Sequence, residues 1–258
     1  MRFSKICLAV ALFLMTSVSY AQLQPVTYAD GAQKLSGFLA KPKPGSKKKA
    51  GVLILPAWMG IDTHAKTSAE ELSAMGYYAF VADIYGVDKK PADMKAAGEL
   101  SGYYKNNITE YQKRIRLALD QLITGGADPA NIAVIGYCFG GTGAVEAARG
   151  NFPVKAIVSF HGGLGRDSSR AISAIAPKLL ILHGADDNYV PAKEVAAFQD
   201  EMRKARADWQ MTYYANAVHS FTDPDAGSDN SRGAAYNEKA AKRSWKAMQV
   251  FFGEIFGQ

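Results

Sequence analysis

The sequence predicts a single α/β domain: a mostly parallel central sheet with helices on both faces and no separate lid domain. Three observations point there. Residues 132–135, 156–160 and 179–182 are short, near-continuous apolar runs, the pattern of parallel strands covered on both faces. Segments with helical spacing alternate with them along the chain, as βαβ units require. With 258 residues, 48% hydrophobic and 21% charged, there is material for one sizeable core. This composition excludes a disordered, collagenous or multi-pass membrane protein. The net charge of +6 has no basic, aromatic-interleaved stretch behind it, so nucleic acid is not expected as a partner.

The first element is a leader. Arg2 and Lys5 precede an apolar run over residues 6–18, and Ser19, Tyr20 and Ala21 follow, the three parts of a secretory signal peptide. Thirteen apolar residues are too few for a spanning helix. Cleavage after Ala21 is expected, leaving residues 22–258 as one exported domain, periplasmic or secreted, without stable membrane insertion. Cys7 leaves with the leader. Cys138 is then the lone thiol of a chain in an oxidising compartment, where it has no intramolecular partner, and its presence asks for a reason.

Residues 34–39 and 52–55 read as strands, joined by a basic run (41–49) that Pro42, Pro44 and Gly45 mark as a solvated turn. A helix over 64–75 ends at Gly76, and a strand covers 77–82. Ile108, Tyr111, Ile115, Leu119 and Leu122 recur at helical spacing until Gly125 and Gly126. After the strand at 132–135 comes a glycine-rich turn and a helix carrying Ala144, Val145, Ala147 and Ala148. Helices over 191–206 and 236–252 flank a last strand at 211–214. Repeats and linkers are absent from the sequence.

The turn carries the chemistry. An apolar strand runs directly into Gly136, Tyr137, Cys138, Phe139, Gly140 and Gly141 before the helix begins. Such a turn strains the backbone at its apex and exposes the apex side chain at the top of the sheet. The helix N-terminus favours a thiolate there, and the Phe139 N–H would face a developing oxyanion. A buried structural cysteine is the competing account, and a phosphate loop is a weaker one because no Lys-Ser/Thr follows the glycines. An acid and a histidine downstream decide the matter. Asp186 and Asp187 follow the strand at 179–182, and His219 follows the last strand. Nucleophile, acid, histidine is the chain order of the α/β-hydrolase fold, and all three fall after strands, where open α/β sheets bind ligands.

On Gly136 to Gly141, on Gly184, Asp187, Val190 and Pro191, and on His219, Ser220 and Phe221, the chain resembles the dienelactone hydrolase family from about residue 33 onwards. The resemblance implies that Cys138 is the nucleophile, His219 the base, Asp187 the orienting acid, and the backbone N–H groups of Trp58 and Phe139 the oxyanion donors. Asp187 rather than Asp186 has the family's spacing from Gly184 and Val190. The implied activity is hydrolysis of an ester, lactone or thioester bond through a thioester acyl-enzyme, with no cofactor and no metal.

Two departures bear on substrate. Ala57 stands where the family carries a glutamate before the oxyanion donor, which leaves activation to His219 and the helix end. Both substrate-binding arginines of the family are missing, after Tyr85 and after Phe221. Lys89 is a candidate stand-in, or a plain surface lysine. A small uncharged substrate is therefore expected. Tyr85, Trp58 and Met59 are candidate pocket walls. His161 either lines the pocket or is satisfied at a strand end, His183 belongs to the core, and His64 starts a helix. Two other classes stay open: a binding protein on a hydrolase scaffold, and a thiol-dependent redox or stress protein.

Overall fold

A computed structural model describes residues 23–43 and 49–257. The expected leader, its cleavage point and Cys7 lie outside them, as does the middle of the basic run. Eight strands form one sheet in the order β1-β2-β4-β3-β5-β6-β7-β8. They are β1 (Gln24–Asp30), β2 (Gln33–Ala40), β3 (Gly51–Leu55), β4 (Tyr78–Val81), β5 (Ile132–Tyr137), β6 (Ala156–Phe160), β7 (Lys178–Gly184) and β8 (Trp209–Tyr214). The β1–β2 hairpin and the β2–β4 pair are antiparallel, and every later pair is parallel. This is the expected α/β-hydrolase architecture.

Side-chain alternation along the buried strands divides the core in two. Leu53 and Leu55 of β3 face one side with Val134 of β5, and Val52 and Ile54 face the other with Ile135. The first side is covered by α3 (Ile108–Thr124), α4 (Phe139–Arg149) and α5 (Ala192–Lys204). The second is covered by α1 (Thr63–Ala74) and α6 (Glu238–Phe256). Helix starts follow capping chemistry: the Asp62 side chain accepts the Ala65 N–H, and Asn237 accepts that of Ala240.

Two elements differ from the sequence reading. β1 is a nearly solvated edge in which only Tyr28 is buried, so no apolar alternation betrays it. The helix α2 (Met94–Asn106) buries only Ala97, Ser101 and Tyr104, a stripe too small and polar to show as amphipathic periodicity. The remaining boundaries agree within a few residues.

Candidate active site

Cys138 is the single residue between β5 and α4, and its backbone sits at φ 52° and ψ −113°. A non-glycine residue held there stores about 1–3 kcal/mol of strain. Two glycines make the turn possible. A Cβ on Gly136 would lie 2.0 Å from the Gly140 carbonyl oxygen, and one on Gly140 would lie 2.0 Å from that of Leu55. Thus α4 starts in backbone contact with β5 and β3, which aims the half-buried thiol into a cavity at the carboxyl ends of the strands.

Three side chains meet at that point. The His219 Nε2 lies 3.0 Å from the Cys138 Sγ, and its Nδ1 lies 2.8 Å from Asp187 Oδ2. The other carboxylate oxygen, Oδ1, accepts the Tyr189 N–H at 2.9 Å. Asp187 is buried and Asp186 is exposed, so of the two adjacent acids only the first faces the imidazole. The loops carrying acid and histidine are stitched together, since Asp186 N–H donates to the Ala217 carbonyl. A Cβ on Gly184 would fall 2.5 Å from that same oxygen, so this approach needs glycine.

Electrostatics favour an ion pair. Burial alone would push the Cys138 thiol up. The hydrogen bond and charge of His219, the Phe139 N–H and the Lys105 ammonium outweigh it and hold the thiol below its ordinary value. Burial would lower His219, but its hydrogen bonds to Asp187 and Cys138 raise it to about 10. Both directions favour the thiolate–imidazolium pair over the neutral thiol and imidazole.

The remaining expected residues fall as follows. Trp58 lines the cavity, and its carbonyl accepts the Tyr85 hydroxyl at 2.8 Å. Phe139, first residue of α4, lies in a stack between Tyr85 and Tyr111, 4.6 Å from the latter with planes 1° apart. Tyr85 is therefore a buttress in the core, and neither it nor Met59 forms a wall of the cavity. Lys89 sits in an exposed 3-10 turn away from the cavity and does not replace an arginine. His183 is buried in β7 and His64 lies in the first turn of α1, as expected. His161 does not line the cavity: it is buried and hydrogen-bonded to Thr222 and to the Cys138 backbone. Among the described residues no cluster of His, Cys, Asp and Glu could hold a metal ion.

The cavity holds about 600 Å³ and has charged lining residues that sequence reasoning missed. Lys105, Arg166 and Arg170 line it, matched by Glu146, Asp167 and Glu194. Lys105 lies in the last turn of α2, a helix with no apolar signature, and the arginines come from a loop, so no spacing announced them. Beneath them Arg149 is buried with every N–H engaged: Nε and one terminal nitrogen on Glu201, the other on Glu146, with the Leu164 and Gly165 carbonyls taking the rest.

The family model described as "Dienelactone hydrolase family" matches residues 35–256. A solved dienelactone hydrolase-like promiscuous phosphotriesterase from metagenomic libraries is 37% identical, covering 92% of this chain and 99% of its own, with a TM-score of 0.85. The solved structure named m3DLH is 34% identical with the same coverage and a TM-score of 0.86. A Yersinia pestis protein, named as a candidate carboxymethylenebutenolidase, is 24% identical over 237 residues, covering 88% of this chain and 86% of its own. The chain belongs to the dienelactone hydrolase family and is a hydrolase of ester or lactone bonds.

Proposed function

We propose that this chain is an exported cysteine hydrolase that opens small, uncharged esters, lactones or thioesters through Cys138, His219 and Asp187. The reading is carried by one observation, the unbroken hydrogen-bonded line from Asp187 through His219 to the Cys138 sulfur. The thiolate attacks the carbonyl carbon and a C–S bond forms. The oxyanion is held by the N–H groups of Phe139 and Trp58. Collapse breaks the C–O bond, and the leaving alkoxide takes the proton from His219 Nε2. The neutral imidazole then takes a proton from water as it attacks the thioester. The acid departs, and thiolate and imidazolium are restored.

Preference for a neutral acyl group follows from charge balance. Three cations line the cavity against three carboxylates, Arg170 is paired with Glu146 and Arg166 with Glu201. A tenfold preference for anionic lactones over neutral esters would overturn this part, and Lys105 would be the group to suspect. Turnover of neutral phosphate triesters is a second reading. It is favoured by the same charge balance and by the phosphotriesterase described above at 37% identity.

The test pairs a short-chain nitrophenyl ester with intact mass, for the parent protein, Cys138→Ala and His219→Ala. A transient acyl adduct on Cys138, with turnover lost in both variants, is expected. Unchanged turnover in Cys138→Ala would sink the assignment. No adduct and no turnover in the parent would favour a binding protein, and thiol-dependent peroxide consumption a redox protein. Export is tested by the mass of the protein recovered outside the cytoplasm, which should begin at Gln22; retention of residues 1–21 would refute it.

A further inference from the structure

His161 is a buried imidazole that the reaction does not consume. It follows β6 directly, with φ 41°, and is only 2% exposed. Its Nδ1 lies 3.2 Å from the backbone nitrogen of Cys138, whose N–H also donates to the Phe160 carbonyl at 3.0 Å. A backbone N–H can only donate, so Nδ1 carries no proton. The proton of the neutral ring is on Nε2, 2.7 Å from the Thr222 hydroxyl oxygen, which accepts it. That hydroxyl is left to donate to His64 Nε2 at 3.2 Å. One direction of hydrogen bonding satisfies all four groups.

The chain of contacts joins three separate segments: the first turn of α1, the end of β6 and the loop carrying His219, three residues before Thr222. We infer that His161 is a positioning residue: held in its Nε2–H form by Thr222 and His64, it fixes the Cys138 peptide and registers it against the His219 loop. Protonation of His161 would set two donors against each other at Cys138. Burial and the charge of His219, whose ring centre is 5.3 Å away, oppose that protonation. Asp223, Asp62 and Asp225 are the acids acting on the far end of the relay, at His64.

This inference rests on Cys138 being the nucleophile, and the test separates the two. Imidazole 15N NMR of the full chain should show His161 with a bare Nδ1 and a protonated Nε2 from about pH 6 to about pH 8. That readout does not depend on turnover, so an inactive parent protein counts against the hydrolase reading alone. An imidazolium or an Nδ1–H tautomer overturns the relay alone. In the ester assay His161→Leu should lower kcat about tenfold or more while KM stays within about twofold. His161→Asn should recover most of that loss, because its amide oxygen reaches the Cys138 N–H and Asn tolerates positive φ. Equal impairment of the two variants, or a kcat for His161→Leu within about twofold of the parent, overturns the proposal. Should His161→Leu fail to fold, Thr222→Val decides. It should mix the His161 tautomers and lower kcat about threefold or more, with Thr222→Ser restoring both. An unmoved tautomer in Thr222→Val overturns the relay.

Discussion

Replacing Asp187 by Asn removes one charge and almost no volume, and the structure dictates how the new amide must turn. Oδ1 of Asp187 accepts the Tyr189 N–H, a donor that cannot change its role. The amide oxygen must take that place, which points the NH₂ group at His219 Nδ1. The imidazole then accepts at Nδ1 and is held neutral with its single proton on Nε2, 3.0 Å from the Cys138 sulfur, so it can take no proton from the thiol or from water. A wrong tautomer of this kind lowers kcat by about 10⁴, or about 5 kcal/mol on the barrier. Asp186→Asn alters an exposed side chain and should leave turnover within about twofold. Both variants would be assayed on a nitrophenyl ester at neutral pH beside the parent protein. Alkylation by iodoacetamide against pH supplies a second readout, since loss of the imidazolium moves the acid limb upwards. Turnover in Asp187→Asn within tenfold of the parent would refute the reasoning, and loss confined to Asp186→Asn would identify the other carboxylate as the acid.

Three more outcomes follow from the same coordinates. Because the Cys138 thiol is lowered from 9.0, its thiolate is lost only as pH falls through that depressed value, whereas the His219 imidazolium is lost as pH rises through about 10. Between pH 9 and pH 7 the alkylation rate should therefore fall less steeply than that of an unperturbed cysteine thiol, which falls about tenfold per unit below its pKa. Gly140→Ala puts a methyl group among the Leu55 and Pro56 backbone atoms and should cost about 1–3 kcal/mol. Its melting temperature should drop by about 2–4 °C for each kcal/mol, and an unchanged melting point would mean that the elbow is looser than described. Arg149→Met leaves Glu146 with Arg170 alone and Glu201 with the more distant Arg166, and should destabilise by about 3 kcal/mol, read in denaturant titrations. Adding Glu201→Gln should restore part of it; no recovery would mean that the guanidinium acts through the loop carbonyls rather than the acids.

The sequence exposed those parts of the molecule whose chemistry is local. Buried parallel strands write themselves as apolar runs, and the elbow needs glycines at fixed offsets, so β3, β5, β6, β7 and Cys138 were all legible. The order of nucleophile, acid and histidine then pointed to the acidic turn and to His219, and the family's spacing from Gly184 and Val190 singled out Asp187. What stayed hidden depends on who touches whom across the fold. β1 survives as a solvated edge by pairing with β2 along its whole length, and α2 is held by few buried residues; neither leaves a periodic trace. Lys105 and Arg170 reach the cavity from elements whose placement no spacing specifies. His161 was legible as a histidine beyond a strand, but its partner Thr222 lies 61 residues away.

Between β6 and β7, residues 161–177 contain no helix and no strand, yet they supply Gly163, Gly165, Arg166, Asp167 and Arg170 to the cavity. The segment takes its shape from outside itself: Glu194 accepts the Leu164 and Gly165 N–H groups, and Arg149 holds their carbonyls. Selectivity and reactivity are thereby housed in separable parts of the polypeptide. The sheet ends hold the proposed reacting atoms, whereas the tip at residues 167–171 contributes no ladder hydrogen bonds and can vary in length or sequence at little risk to them. A lineage, or a laboratory library, could re-tailor the substrate range by drifting through that tip while Arg149 and Glu194 keep its base in register.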